Sequence, residues 1–171
     1  GTGNGFYLSG IDNVTIKNTT IKNYEYGIRL YSTSNNIIDG NNLSLNTWGG
    51  IWLQNSKNNN ITKNNLAQTI ANNFGGIRLQ DFSDKNNIVE NCLTANKKYG
   101  IYIENSWSNH IFHNNFTNNL IQAYIDPLTS QTNKWDNGYP SGGNYWSDYH
   151  AVDSDGDGIG NSPYVIDAHN Q

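Results

Sequence analysis

A repeat of about 23 residues runs through most of the sequence and limits the folds open to the chain. Each unit begins with a Gly-apolar-x-apolar tetrad, at residues 5–8, 27–30, 50–53, 76–79 and 100–103. The first glycines of successive tetrads are 22, 23, 26 and 24 residues apart. Two apolar columns follow the tetrads, the second always five residues after the first: Ile16, Ile38, Ile61, Ile88 and Ile111, then Ile21, Leu43, Leu66, Leu93 and Phe116. Nearly constant spacing within units and variable spacing between them indicate stacked repeats.

The repeat predicts short strands separated by turns, because alternating apolar residues bounded by Asn, Ser and Gly are typical of strands. One unit cannot bury its own apolar residues, whereas stacked units form a continuous core. The sequence therefore predicts an all-β protein, a right-handed parallel β-helix of about five coils with three short strands per coil.

Asparagine makes up 32 of the 171 residues, and much of it occupies fixed positions of the repeat. Two columns contain Asn36, Asn59, Asn86 and Asn109, and Asn41, Asn64, Asn91 and Asn114. Stacked amides can hydrogen-bond from coil to coil, and Asn tolerates left-handed turns. We therefore expect these asparagines to be structural.

Composition excludes several classes of protein. A net charge of −4 with only two arginines argues against a nucleic-acid surface. The single cysteine excludes an internal disulfide framework and a multi-cysteine zinc site. No apolar run reaches the ~20 residues that span a bilayer. We expect neither a nucleic-acid partner nor membrane insertion.

The periodicity ends near Ala123, which predicts coils over residues 1–123 and a capping segment over residues 124–171. The first segment contains nine basic and seven acidic residues, and the second contains one basic and seven acidic residues. A β-helix must cover its open end against pairing with other chains. We expect the tail to do so, with Trp135, Tyr145 and Trp146 over the core.

The repeats resemble the NosD-like parallel β-helix proteins, part of a wider set found in carbohydrate-binding proteins and sugar hydrolases. The tail, at residues 133–140 (NKWDNGYP), 142–149 (GGNYWSDY), 153–160 (DSDGDGIG) and 162–167 (SPYVID), is similar to the end of NosD-like domains on large surface proteins of methanogenic archaea. The resemblance implies an extracellular or cell-surface module and no single activity, since the fold hosts binders, lyases and hydrolases. Some members are copper-related accessory proteins; the absence of Met and of clustered Cys and His here disfavours soft copper ligation.

An Asp-x-Asp-x-Asp-Gly motif near the C-terminus matches the start of a calcium loop, with carboxylates at positions 1, 3 and 5 and glycine at position 6. The predicted ligands are Asp153, Asp155, Asp157, the carbonyl of Ile159 and, through water, Asn161. Position 12 is Tyr164 instead of the usual Glu, and Asp148 or Asp167 could complete the shell. We expect a structural calcium ion in the cap, the alternative being a solvated acidic turn.

The outward residue of the five tetrads forms the second candidate site. Down the coils this column contains Tyr7, Arg29, Trp52, Arg78 and Tyr102, and the next outward column contains Ser9, Tyr31, Gln54, Gln80 and Glu104. Aromatic faces stack on sugar rings, while guanidinium, amide and carboxylate groups recognise hydroxyls or uronates. The columns predict a polysaccharide or cell-surface glycan partner, with Phe74 as a side wall; the alternative is a ladder that only stabilises the sheet.

Three functions therefore remain open. The favoured one is a non-catalytic, calcium-stabilised module that binds polysaccharide on this face. The second is a structural unit that self-associates in a surface layer or filament. The third is a polysaccharide lyase or glycoside hydrolase that uses Asp81, Glu104 and Arg78.

Overall fold

A computed structural model of the protein describes residues 2–71, 74–129 and 132–167. Within these ranges every regular element is a β-strand. The strands are β1 (Asn4–Ser9), β2 (Thr15–Lys17), β3 (Tyr26–Tyr31), β4 (Ile37–Asp39), β5 (Gly49–Gln54), β6 (Asn60–Thr62), β7 (Asn65–Ala67), β8 (Gly75–Gln80), β9 (Asn87–Val89), β10 (Cys92–Thr94), β11 (Tyr99–Glu104), β12 (His110–Phe112), β13 (Asn115–Thr117), β14 (Ile121–Ile125) and β15 (Tyr145–Trp146). A helix that could cross a membrane is absent from the described ranges.

Three parallel sheets wind around one core, which confirms the predicted right-handed parallel β-helix. The first sheet has the order β1-β3-β5-β8-β11-β14 and contains all five tetrads. The second has the order β2-β4-β6-β9-β12, and the third has the order β7-β10-β13-β15. In the first two coils the third apolar column is flanked by isolated bridges, Thr20 to Asn42 and Asn42 to Asn65, instead of named strands.

The predicted apolar columns form the core. The isoleucines of the second sheet stack in register, and from Ile38 to Ile111 they are fully buried. Phe6 is the exception among the tetrad positions, with 43% of its surface exposed. It lies in β1, the outermost described strand of the first sheet, so a described strand covers it on one side only.

The asparagine columns form buried hydrogen-bonded ladders, as predicted. Nδ2 of Asn41 donates to Oδ1 of Asn64 at 2.9 Å, and that same oxygen accepts from the backbone N–H of Asn41 at 2.9 Å. The contact recurs from coil to coil, and a further ladder that was not predicted joins Thr69, Asn96 and Asn119. Each ladder residue follows a residue with positive φ, such as Lys63 before Asn64. The ladders therefore tie each turn to the next coil.

The C-terminal segment covers the core with a stack of aromatic rings. Trp146 lies between Phe116, 4.5 Å away between ring centroids, and Tyr164, 4.2 Å away. Trp135 and Trp146 are buried, but Tyr145 is 61% exposed, so its predicted place over the core is wrong. Successive residues of β15 point to opposite faces, and Trp146 takes the inward one.

The first sheet crosses the predicted boundary between coils and cap. Strand β14 pairs with β11 and includes both Ala123 and Tyr124. The boundary itself stays a prediction, and residues 130–131 and 168–171 of the predicted cap lie outside the described ranges.

Candidate functional site

The outer face of the first sheet places the predicted aromatic and arginine residues in one column. Cα pairing runs from Tyr7 to Arg29, then to Trp52, Arg78 and Tyr102. Tyr124 continues the column on β14. We call these six residues the aromatic–arginine stripe.

Arg29 lies in the less covered half of the stripe. The guanidinium carbon of Arg29 is 3.9 Å from the centroid of the Trp52 ring and 5.3 Å from that of Tyr7. Nη2 of Arg29 donates to Oε1 of Gln54 at 3.1 Å. This arginine is therefore held by ring faces and a neutral amide, and by no carboxylate within the 4.0 Å of an ion pair among the described residues.

Arg78 lies in the other half of the stripe. Its guanidinium carbon is 4.4 Å from the Phe74 centroid and 5.3 Å from those of Trp52 and Tyr102. Nη2 of Arg78 forms an ion pair with Oε2 of Glu104 at 3.0 Å, and only 13% of the Arg78 side chain is exposed. The charge of Arg78 is therefore neutralised within the protein.

An aromatic wall borders the stripe at the start of the strands. Phe74 lies 6.2 Å from Trp48 and 5.9 Å from Tyr26 between ring centroids, so it occupies the predicted wall position. Sequence analysis missed Tyr26 and Trp48. A glycine in the neighbouring coil could have indicated the position of Tyr26. Tyr26 pairs with Gly49, and a Cβ added to Gly49 would lie 3.1 Å from the Tyr26 ring.

Burial and nearby acids raise the pKa values of the tyrosines in this region. Burial, followed by the negative charges of Glu104 and Asp126, raises the pKa of Tyr102 to about 12. Burial also raises the pKa of Tyr26, against the opposing effect of the neighbouring Arg78. Both hydroxyls therefore keep their protons at neutral pH and can donate hydrogen bonds.

The second outward column forms a polar edge along the stripe. Tyr31, Gln54, Gln80 and Glu104 pair in register from coil to coil. Nε2 of Gln54 donates to Oδ2 of Asp81 at 2.9 Å. The three residues proposed for the enzymatic alternative therefore do not share one set of contacts: Glu104 binds Arg78, whereas Asp81 binds Gln54.

Several polar atoms of this surface have no partner among the described residues. They are Nε of Arg29, Nε1 of Trp52, Nε of Arg78 and Oε1 of Gln80, all shielded from solvent. Unpaired buried polar atoms are rare in native proteins and often mark a functional surface.

The acidic motif forms an exposed loop in the cap. Carboxylate oxygens of Asp153, Asp155 and Asp157 lie within 4.8 Å of one another. The backbone N–H groups of Gly158 and Gly156 donate to Asp153 at 2.9 and 2.7 Å and, with Gly158 contributing most, hold the pKa of that carboxyl below its usual value.

The remaining predicted calcium ligands lie in the same loop. The N–H of Ile159 donates to Oδ1 of Asp157 at 2.8 Å. Oδ1 of Asn161 accepts from the backbone N–H of Ser154 at 2.6 Å. Of the two acids suggested for the shell, Asp148 accepts from the Tyr164 hydroxyl at 3.2 Å.

The profile of the family described as periplasmic copper-binding protein (NosD) matches residues 1–151. Similar solved structures include the periplasmic alginate epimerase AlgG, with 22% identity and a TM-score of 0.58 over 74% of this chain and 36% of that one. Two mutants of the same epimerase match with 22% identity over 36% of their length, covering 74% and 73% of this chain with TM-scores of 0.58 and 0.57. This chain thus spans about a third of the epimerase, and the likeness shows the fold. No curated protein matches significantly in sequence.

The donor groups that the structure describes do not form a copper site. Nε2 of His110 and of His113 lie 2.9 and 2.7 Å from the carbonyl oxygens of Asp136 and Ser141. Across the described ranges, Asp153, Asp155 and Asp157 form the one cluster of three or more potential side-chain ligands, and it offers hard carboxylate oxygens alone. Copper prefers imidazole and sulfur ligands, and the chain contains no Met.

Proposed function

The chain belongs to the NosD family of parallel β-helix proteins, and from this membership and its surface we propose that it binds polysaccharide outside the cytoplasm without cleaving it. The family and the epimerase are both described as periplasmic, and the epimerase is named for a polysaccharide, alginate. The aromatic–arginine stripe is the observation that carries the proposal.

A flat row of rings suits a sugar chain better than a small ligand. Parallel strands lie ~4.8 Å apart, so six stacked residues extend over roughly 24 Å, the length of several sugar units. The exposed parts of the rings supply apolar surface, and the polar edge beside them supplies groups that bind hydroxyls. Tyr7 and Tyr31 remain 49% and 39% exposed at one end of this surface.

Replacement of Trp52 tests this function, because its ring lies at the centre of the stripe. A central aromatic contact contributes about 2 kcal/mol or more to many interfaces, so we expect Trp52→Ala to weaken glycan binding at least tenfold. Trp52→Phe keeps a ring and should retain most of the affinity. Tyr139→Ala removes an 81% exposed ring from the cap and serves as the control.

The measurement is retention on a polysaccharide array, with circular dichroism to show that each variant is folded. A folded wild-type protein that binds no glycan would refute the proposal. Equal glycan affinity of the wild type and a folded Trp52→Ala variant would show that the stripe is not the binding surface.

We further propose that the acidic loop binds calcium and fixes the cap. Three carboxylates at alternate positions and a glycine at position 6 support this assignment. Calcium should raise the unfolding temperature, and chelation should reverse the effect. Asp155→Asn should weaken the response, whereas Asp136→Asn, outside the loop, should retain it; a wild-type protein indifferent to calcium would contradict the assignment.

An enzymatic role is the second candidate. It is favoured by the position of Arg78, which shares a coil with Asp81 and binds Glu104 of the next coil, a set of groups suited to a uronate polymer. A lyase or hydrolase would release products that Asp81→Asn abolishes. Wild-type protein that binds a polymer and leaves its length unchanged would exclude this role.

Self-association has one supporting feature. Leu120 and Leu128, on either side of the outer strand β14, are 75% and 88% exposed. Sedimentation at rising protein concentration tests for association, and a monomer at high concentration with calcium present would exclude a filament or layer built by this chain alone.

A further inference from the structure

The two arginines of the stripe differ in how their charge is balanced. Arg78 binds the Glu104 carboxylate at 3.0 Å. Arg29 binds the uncharged Gln54 amide, and Gln54 in turn separates it from Asp81. Each described ion pair involves another base, so among the described residues Arg29 has no carboxylate in direct contact.

We propose that Arg29 recognises an anionic substituent, a carboxylate or a sulfate, on the bound polysaccharide, and this inference rests on the proposed function. A planar guanidinium binds oxyanions through two parallel N–H donors, and stacking on Trp52 at 3.9 Å fixes the orientation of that plane. Gln54 accepts from Nη2, and no described residue is hydrogen-bonded to Nη1. The ligand class is therefore an acidic polysaccharide.

The net charge of the protein does not attract an acidic polysaccharide, so its recognition depends on the local site at Arg29. The protein carries a net charge of −4, so a polyanion is repelled at long range. The Arg78 charge is cancelled by Glu104, and sugar rings stacked on the aromatic residues would bring an acidic group close to Arg29. The position of Arg29 also explains why a second arginine occurs in the stripe: Arg78 joins the coils, and Arg29 faces the ligand.

The experiment compares polymers that differ in charge alone, using the complete chain. Polygalacturonate is paired with its fully methyl-esterified form, and dextran sulfate is paired with dextran. The variants are Arg29→Gln, Glu104→Gln and Lys17→Gln. Lys17 is exposed on the second sheet, and its replacement changes the net charge as Arg29→Gln does.

We expect the wild type to bind at least one charged polymer about tenfold or more tightly than its neutral partner, as one charge-assisted hydrogen-bonded contact provides. Arg29→Gln should remove this preference, because it lowers the affinity for the charged polymer more than the affinity for the neutral one. Lys17→Gln should leave the preference unchanged. Glu104→Gln should increase it, because it releases the charge of Arg78, and a merely structural arginine would not produce this gain.

The outcomes separate the two proposals. Preference for polygalacturonate identifies a carboxylate, and preference for dextran sulfate alone identifies a sulfate; both support the inference. Equal binding of charged and neutral polymers, or an unchanged preference in folded Arg29→Gln, overturns the inference and leaves polysaccharide binding intact. Failure of every polymer to bind overturns both.

Discussion

Asn64 lies at the centre of a buried ladder, and its replacement by alanine measures what the stacked amides contribute to stability. Its Oδ1 accepts from the backbone N–H and from Nδ2 of Asn41, both at 2.9 Å. Its Nδ2 donates to the carbonyl of Ile38 at 2.8 Å and to Oδ1 of Asn91 at 3.0 Å. Asn64→Ala therefore removes four hydrogen bonds at a site that is 1% exposed.

The expected loss follows from which groups are left without partners. The Asn41 backbone N–H has no other acceptor among the described residues, and an unsatisfied buried donor costs about 1–3 kcal/mol. Each lost bond to Ile38 and Asn91 adds about 1 kcal/mol. We expect a decrease of roughly 3–5 kcal/mol in the free energy of unfolding, a large part of the 5–15 kcal/mol typical of a domain.

Urea unfolding followed by tryptophan fluorescence measures this loss. With a slope of about 2 kcal/mol per molar urea, the midpoint should fall by roughly 2 M. The control is Asn87→Ala, because the Asn87 amide donates to Asn60 at 3.0 Å at an exposed site. A decrease in Asn64→Ala no larger than that in Asn87→Ala would refute a stabilising role for the ladders.

Two further predictions concern the turns and the tyrosines. Ala95 has a φ of 52°, which glycine adopts at less cost, so Ala95→Gly should raise the free energy of unfolding by about 1 kcal/mol. Ala67→Gly in the extended strand β7 should instead lower it by about 0.5–1 kcal/mol. Equal effects of the two substitutions in urea unfolding would contradict this prediction. Tyr102 and Tyr164 have pKa values raised to about 12, so an alkaline absorbance titration should show a late step that Tyr102→Phe reduces, and ionisation of every tyrosine near pH 10 would contradict it. Because folding favours their neutral form, the stability from these tyrosines is complete below about pH 10 and is lost as the pH rises through about 12.

The coils were predictable because spacing alone defines them. Ile38, Ile61 and Ile88 recur at one position of the repeat, and stacking of the coils places that position in the core each time. The stripe could be predicted from the same repeat spacing, because a residue position that points outward in one coil points outward in every coil. The last strand was missed because Gln122 stands where earlier coils have glycine, and among the described residues no strand pairs with the outer edge of β14.

The pairing of polar side chains could not be predicted from spacing. Asp81 follows the strand of Arg78 and Glu104 ends the next strand of the sheet, yet Arg78 pairs with Glu104 and Asp81 accepts from the Gln54 amide. The cap was uncertain for a similar reason. A strand of two residues carries no periodicity, so the orientation of Tyr145 depends on its pairing with Asn115.

The ladders also bear on how a molecule of this kind changes its length in evolution. Every coil offers the next one the same amide contacts, and these contacts depend on the neighbouring coil alone. Duplication of one complete unit would therefore add one interface of the same kind as those already present and lengthen the stripe by one residue. A partial insertion would shift the amides out of register, except in the joins between units, where spacing already varies. The reach of the binding face can thus evolve in whole-coil steps, separately from the cap that closes it.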